Sequence, residues 1–210
     1  MDAECLARFL QSRTPDLMDA SGRYAVLVPL VRGREGLSLL YEVRSRSLRR
    51  QPGEVCFPGG RMEGEETPEG CALRETREEL AIPSDKIQLL GRLDFIAHRA
   101  NFIMWPVLGL VEEETLDAFL RPSPAEVEET FRIPLSHLMD TVPLEYDYRL
   151  LPQPGEEFPY ELIGIPRDYH WQLGRENVPV YPWQDHAVWG LTARITRHLV
   201  SLLKELGEGS

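Results

Sequence analysis

Glu75, Glu78 and Glu79 stand at i, i+3 and i+4 in segment 67–80, whose end signals predict a helix. Thr67 is a fair N-cap, Pro68 follows at the first helical position, and Pro83 forces an end. At roughly 100° per residue the three carboxylates occupy an arc of roughly 100°, one face, while Ala72, Leu73, Thr76 and Leu80 fall on another suited to packing against a sheet. Like charges at these spacings cost a helix ~0.2–0.5 kcal/mol per pair. Two accounts fit the carboxylates. One is a solvated face, with Arg74 and Glu78 paired at i, i+4 in partial compensation. The other is a set of hard oxygen donors of the kind Mg²⁺ requires, with few protein ligands and waters retained for a phosphate.

The surroundings favour the second account. Glu66 lies nine residues before Glu75, and Gly60 six before that. The pattern is Gly60, five residues, Glu66, seven residues, Arg74-Glu75, two residues, Glu78-Glu79. This resembles the Nudix box. The family would place an aliphatic residue at Thr76 and glycine at Ala81, whereas Ile82 conforms. The loop Pro58-Gly59-Gly60 lets backbone approach a metal or phosphate without a Cβ clash. The resemblance implies one or more divalent cations, Mg²⁺ or Mn²⁺, held first by Glu75 and Glu79, then by Glu78, with the Gly59 carbonyl as a further ligand. It gives Arg74, together with Glu66, the task of orienting the glutamates. It leaves open which carboxylate takes a proton from water.

A second pattern stands upstream: Arg44-Ser45, three residues, Arg49, three residues, Gly53, three residues, Phe57-Pro58-Gly59-Gly60. It is similar to the additional motif of the coenzyme A diphosphatase branch of Nudix hydrolases. That motif opens Leu-Leu-Thr-x-Arg, where this chain has Leu40-Tyr41-Glu42-Val43-Arg44. Pro106-Val107, Ser123-Pro124-Ala125-Glu126-Val127, Ile133-Pro134-Leu135 and Trp189-Gly190-Leu191-Thr192-Ala193 resemble the same branch in order and spacing. The resemblance implies coenzyme A or its derivatives as substrate, cleaved to 3′,5′-ADP and 4′-phosphopantetheine or its acyl form, with Arg44, Arg49 and Gly60 on the substrate. An arginine fork suits phosphate, although either arginine also reads as a solvated surface residue or the partner of a glutamate. The rival readings are another Nudix substrate, such as ADP-ribose, a dinucleotide or a nucleoside triphosphate, and a Nudix-fold binding module without turnover. The intact Glu75, Glu78 and Glu79 speak against the last. Glu126, Glu128 and Glu129, on a loop or short helix, are candidates for a further base. The five histidines show no ligand spacing.

Periodicity supplies the elements that must position these residues. A short helix is expected over 3–12, then strands over 23–31 and 36–43 joined as a hairpin at Arg32-Gly33-Arg34-Glu35. After helix 67–80, segments 87–96 and 102–111 read as strands, 124–130 and 135–139 as short helices, and 187–206 as an amphipathic helix. Residues 144–183 read as irregular, with six prolines, five tyrosines and two tryptophans. This stretch either covers the substrate's adenine or pantetheine arm or simply packs upon itself. The order of elements predicts an α/β fold with a mixed sheet. The resemblance makes this a Nudix-type α/β/α sandwich, with residues 1–22 as lead-in and 23–210 as the domain.

Composition limits the partners. Thirty-four acidic and 23 basic side chains give a net charge of −11. That argues against a nucleic-acid duplex or an anionic membrane as main partner. A small-molecule diphosphate is then the expected substrate, and cations must offset its charge. Cys5, Cys56 and Cys71 show neither Cys-x-x-Cys nor disulfide-framework spacing, so a reducing cytoplasm is the simplest compartment. The first residues lack the basic and apolar regions of a secretory signal, no apolar run reaches membrane-span length, and 207–210 read as a frayed tail. Oligomeric state, a homodimer included, is left open.

Overall fold

A computed structural model describes residues 2–208. The chain divides into two compact units, the first ending at Leu135 and the second beginning at Ser136.

The first unit is built on a mixed eight-stranded sheet. Strand β1 (Gly22–Gly33) runs into β2 (Gly36–Arg44) through the expected hairpin, with Gly33 opposite Gly36. Strands β3 (Val55–Cys56) and β4 (Gly59–Arg61) add to β2 and β1 respectively. The long strand β7 (Phe102–Glu112) lies parallel to β1 and antiparallel to β5 (Ile87–Arg92) and β6 (Ile96–His98). Pro29 sits inside central strand β1 because of this layout. Leu27 donates its N–H to the Pro58 carbonyl, so position 29, two residues on, faces the same side. It falls in the gap between the β4 pairing at 24–26 and the β2 pairing at 30–33, where a missing N–H interrupts no ladder.

Helix α2 (Pro68–Leu80) begins as its sequence predicts, with the Thr67 hydroxyl accepting from the Gly70 N–H at 3.1 Å. It ends at Ala81, which takes the left-handed conformation, φ 60°, that the family's glycine would adopt freely. Cys71, Ala72 and Leu80 pack with Ala25, Leu27, Leu40, Val107 and Val111 of the sheet in one buried cluster. Thr76, where the family has an aliphatic residue, is fully buried, its hydroxyl donating to the Ala72 carbonyl at 2.7 Å. The mixed sheet and its covering helix agree with the expected α/β class.

Five readings are corrected. Segment 87–96 is two strands, β5 and β6, separated at 93–95, and the helix expected from 187 begins at Gly190, after a further strand. Segment 124–130 is not a helix: residues 124–126 form a turn leading into strand β8 (Val127–Pro134), antiparallel to β2. Segment 144–183 is not irregular throughout, since strands β9 (Leu144–Leu150) and β10 (Gly174–Trp183) pair across it, with β11 (His186–Trp189) completing a three-stranded antiparallel sheet in the second unit. Residues 207 and 208 belong to helix α5 (Gly190–Glu208) and not to a frayed tail, while Gly209 and Ser210 lie outside the described residues. Helices α1 (Ala3–Ser12), α3 (Glu113–Phe119) and α4 (Leu135–Asp140) complete the chain. In the second unit Arg197 of α5 bonds Glu145 of β9 and Asn177 of β10. Phe158, Tyr160, Tyr169 and Trp171 meet edge to face within the intervening loop. No helix among the described residues is long and apolar enough to cross a membrane.

Candidate active site

The site grows from the contact of α2 with the two glycines that open β4. The helix fans its carboxylates from buried to exposed: Glu79 is 4% exposed, Glu75 is half-buried and Glu78 is exposed. They therefore do not share one solvent-facing surface. Glu79 is buried, as are Cys71, Thr76 and Leu80 of the same helix, and its Oε2 accepts the Gly59 N–H at 2.8 Å.

Arg74 organises the outer part. Its Nε and Nη2 bond the two carboxylate oxygens of Glu66, both at 3.1 Å, in a bidentate fork. Its Nη1 bonds Glu75 Oε1 at 2.8 Å and Glu78 Oε2 at 3.1 Å, and Nη2 also reaches the Arg61 carbonyl. The hydrogen bond to Arg74 is the main cause that lowers the Glu66 pKa. The reciprocal bond raises that of Arg74, so the guanidinium stays charged throughout.

Gly60 gives way to the Glu75 side chain and Gly59 to the backbone of β1. A Cβ at Gly60 would stand 2.3 Å from Glu75 Oε1, and one at Gly59 would stand 2.4 Å from the Ala25 carbonyl oxygen. What Gly59 visibly offers Glu79 is its N–H.

Two residues that sequence reasoning did not single out for the site complete its floor. Glu42 of β2 is 1% exposed, and its Oε1 accepts the Cys56 thiol at 3.2 Å. Its Oε2 is buried without a hydrogen-bond partner. Burial pushes the Glu42 pKa up to about 7, against the pull of the Cys56 thiol and the Arg44 charge, while the charges of Glu126 and Glu75 add to the rise. Burial likewise pushes Glu79 up to about 9, with the charge of Glu42 next and those of Glu75 and Glu126 contributing. Burial also raises Glu75 and Cys56. The thiol is thus a hydrogen-bond donor and not a nucleophile. A signal for Glu42 was present in the sequence. It is a charged residue two positions from Leu40 on the core-facing side of a strand, at the place of the motif's threonine.

The remaining candidates separate. Arg44, half-buried at the end of β2, has its Nε buried without a partner, whereas Arg49 is exposed in a bend. Glu126 lies exposed in the turn before β8, where its charge bears on Glu42, Glu75 and Glu79. Glu128 pairs with Arg46 at 3.2 Å. His98 stacks on Phe102 and His137 lies against Trp183. Among the described residues no three His, Cys, Asp or Glu side chains are grouped so as to hold a metal ion. Arg74 instead holds Glu75 and Glu78. The donor set still fits a hard divalent cation. The charges of Glu42, Glu75 and Glu126 all raise the Glu79 pKa, one buried Glu42 oxygen lacks any donor, and the adjoining Gly59 and Gly60 carry no side chain.

Helix carboxylates clamped by an arginine beside two glycines on a mixed sheet offer hard oxygen donors of the kind a divalent cation takes. The pattern described as the NUDIX domain matches residues 22–153, and the chain belongs to that family, whose hydrolases generally use divalent metals. It is 35% identical over 204 residues to "Mitochondrial coenzyme A diphosphatase NUDT8" of Mus musculus, covering 96% of this chain and 88% of that protein. The Homo sapiens protein of the same name is 36% identical over 203 residues, 93% of this chain and 75% of that protein. "Nudix hydrolase 3" of Caenorhabditis elegans is 40% identical over 124 residues, 58% of this chain and 51% of that protein, so the chain spans about half of its length.

Proposed function

We propose that this Nudix hydrolase cleaves the diphosphate linkage of coenzyme A or a derivative, giving 3′,5′-ADP and 4′-phosphopantetheine or its acyl form. The observation that carries this reading is similarity to a named coenzyme A diphosphatase across 96% of the chain, together with the helix carboxylates and their arginine clamp. The proposed metal set is Glu75, Glu79 and Glu78, with the Gly59 carbonyl, and the proposed ion is Mg²⁺ or Mn²⁺. Such an ion, when bound, neutralises the diphosphate and lowers the pKa of a water.

The chain's own residues do the rest. Arg74 holds Glu66, Glu75 and Glu78 in register by its fork, so the carboxylates need little reorganisation when substrate arrives. The Gly59 N–H fixes the Glu79 oxygen that faces it. Gly60, without a Cβ, leaves the Glu75 carboxylate room to lie against the backbone. Arg44 and Arg49 are proposed to receive the 3′-phosphate, for which a charge-assisted bond contributes ~1.5–3 kcal/mol. Cytoplasmic placement is proposed from cysteine usage and the character of the first residues, whereas the mouse and human relatives are named mitochondrial.

The test is a comparison of kcat/KM for coenzyme A, dephospho-coenzyme A and ADP-ribose, with and without chelator. Coenzyme A is expected to be preferred and cleavage to stop with chelator. The Arg49→Ala variant should lose about tenfold on coenzyme A and little on dephospho-coenzyme A. A preference for ADP-ribose would overturn the substrate assignment while leaving the metal helix standing.

A further inference from the structure

We propose that Glu42 is a further divalent-cation ligand, contributed by the sheet opposite the helix carboxylates. The proposal rests on the reading of Glu75 and Glu79 as the metal set. It extends that set to an element outside the box.

The strand dictates where Glu42 points. Alternate side chains of β2 share a face, and Leu40 packs in the cluster that contains Cys71, Ala72 and Leu80 of α2. Glu42, two residues on, therefore faces the same helix. Tyr41, between them, stacks on Phe57 and Phe131. The short segment 56–59 ties the two buried acids together. Cys56 is paired with Glu42 across β2 and β3 and donates its thiol to Glu42 Oε1, while Gly59, three residues later, donates its N–H to Glu79 Oε2. Of the charges that act on Glu79, that of Glu42 is the largest.

A purely structural buried carboxyl would have both oxygens satisfied, because an unmet buried acceptor is costly. Glu42 has one held by the thiol and the other bare. The charge of Glu42 acts on Glu79, and those of Glu75 and Glu126 act on both of these buried acids. Arg44 is the cation that tempers Glu42, and it stands on the same strand. A divalent cation supplies what this group lacks: a partner for the bare oxygen and a charge that lets neighbouring carboxylates ionise together. Glu42 replaces the threonine of the related motif, so this chain has one more carboxyl group at that position.

The experiment titrates the full-length, chelator-treated protein with Mn²⁺ alone and follows free Mn²⁺ by its paramagnetic resonance signal. No substrate is present. Glu42→Gln, which keeps size and removes charge, and Glu42→Thr, which installs the motif's residue, are compared with Glu79→Gln. Expected is a loss of one bound ion, or at least about tenfold weaker binding, in both Glu42 variants and in Glu79→Gln. Wild-type binding in both Glu42 variants with loss in Glu79→Gln overturns this proposal and leaves the metal helix standing. Wild-type binding in all three overturns both. A thermal melt guards against misfolding. Glu42→Gln should melt no lower than wild type in chelator and gain less from added Mn²⁺, and an equal gain overturns the proposal.

Discussion

Gly60 and Glu75 compete for one volume: the carboxylate of Glu75 lies where a side chain on residue 60 would begin, its Oε1 2.3 Å from the ideal Cβ position. The obstructing atoms are the end of a flexible side chain, so a Cβ there moves the carboxylate and not the fold. Gly60→Ala should therefore remain folded, with turnover reduced between about 10- and 100-fold, as expected when a positioned group moves by about an ångström. Wild-type kcat/KM in a steady-state assay would show that Glu75 has no need of its observed position.

The capping residue of α2 offers a gain. Ala81 holds φ 60° while its N–H bonds the Arg77 carbonyl at 3.0 Å. Left-handed backbone costs a residue with a Cβ ~1–2 kcal/mol, partly offset by the greater freedom of glycine in the unfolded chain. Ala81→Gly should stabilise the protein by about 0.5–1 kcal/mol and raise Tm by about 1–4 °C. A lower Tm would mean that the alanine methyl contributes packing that outweighs its strain.

The buried acids set a pH dependence. Unfolded glutamates titrate near 4.5, whereas folded, metal-free Glu42 and Glu79 titrate near 7 and 9. The native state thus holds more protons in this window, and stability falls as pH rises. The contribution is whole below 4.5 and is lost as pH passes through about 7 for Glu42 and about 9 for Glu79, with a slope of at most about 1.4 kcal/mol per pH unit for each group. Denaturant melts of wild type and Glu79→Gln in chelator, at pH 5.5 and pH 8, isolate the effect. The variant should gain on wild type at the higher pH, and added Mn²⁺ should shrink the difference. A gap that does not change with pH would contradict the raised pKa.

Arg74 should be irreplaceable by lysine. The guanidinium reaches Glu66, Glu75, Glu78 and the Arg61 carbonyl at once, which a point charge with no planar fork cannot do. Arg74→Lys should lose about 1–2 kcal/mol of stability, a charge-assisted bond discounted for partial exposure. It should also lose turnover while KM changes little. Full activity in the lysine variant would reduce Arg74 to a net charge.

Local signals in the sequence account for much of this layout. The hairpin after β1 and both ends of α2 depend on turn and capping residues that act on their own neighbours, and they stand where the sequence places them. Strand β8 was missed because Pro124-Ala125-Glu126 begins like a helix, while its pairing with β2 is decided more than 80 positions upstream. Strand β9 alternates apolar Leu144, Tyr146, Tyr148 and Leu150 with charged Glu145, Asp147 and Arg149, a period of two that marks a strand but that the surrounding prolines and aromatics of 144–183 obscure. Within the site, the spacing 66–74–75–78–79 is local to one helix and its lead-in. The Glu42–Cys56 pair is not, since 14 residues separate the two and only the β2–β3 register joins them.

The central claim is that this chain hydrolyses the diphosphate of coenzyme A by a single, fixed attack. It is tested most directly by incubating the protein with coenzyme A and Mg²⁺ in ¹⁸O-labelled water and weighing the products. The account predicts 3′,5′-ADP and 4′-phosphopantetheine, with label in only one of them, because one arrangement of helix carboxylates selects one phosphorus. Label divided between both products, or intact coenzyme A alongside rapid cleavage of ADP-ribose, would contradict it.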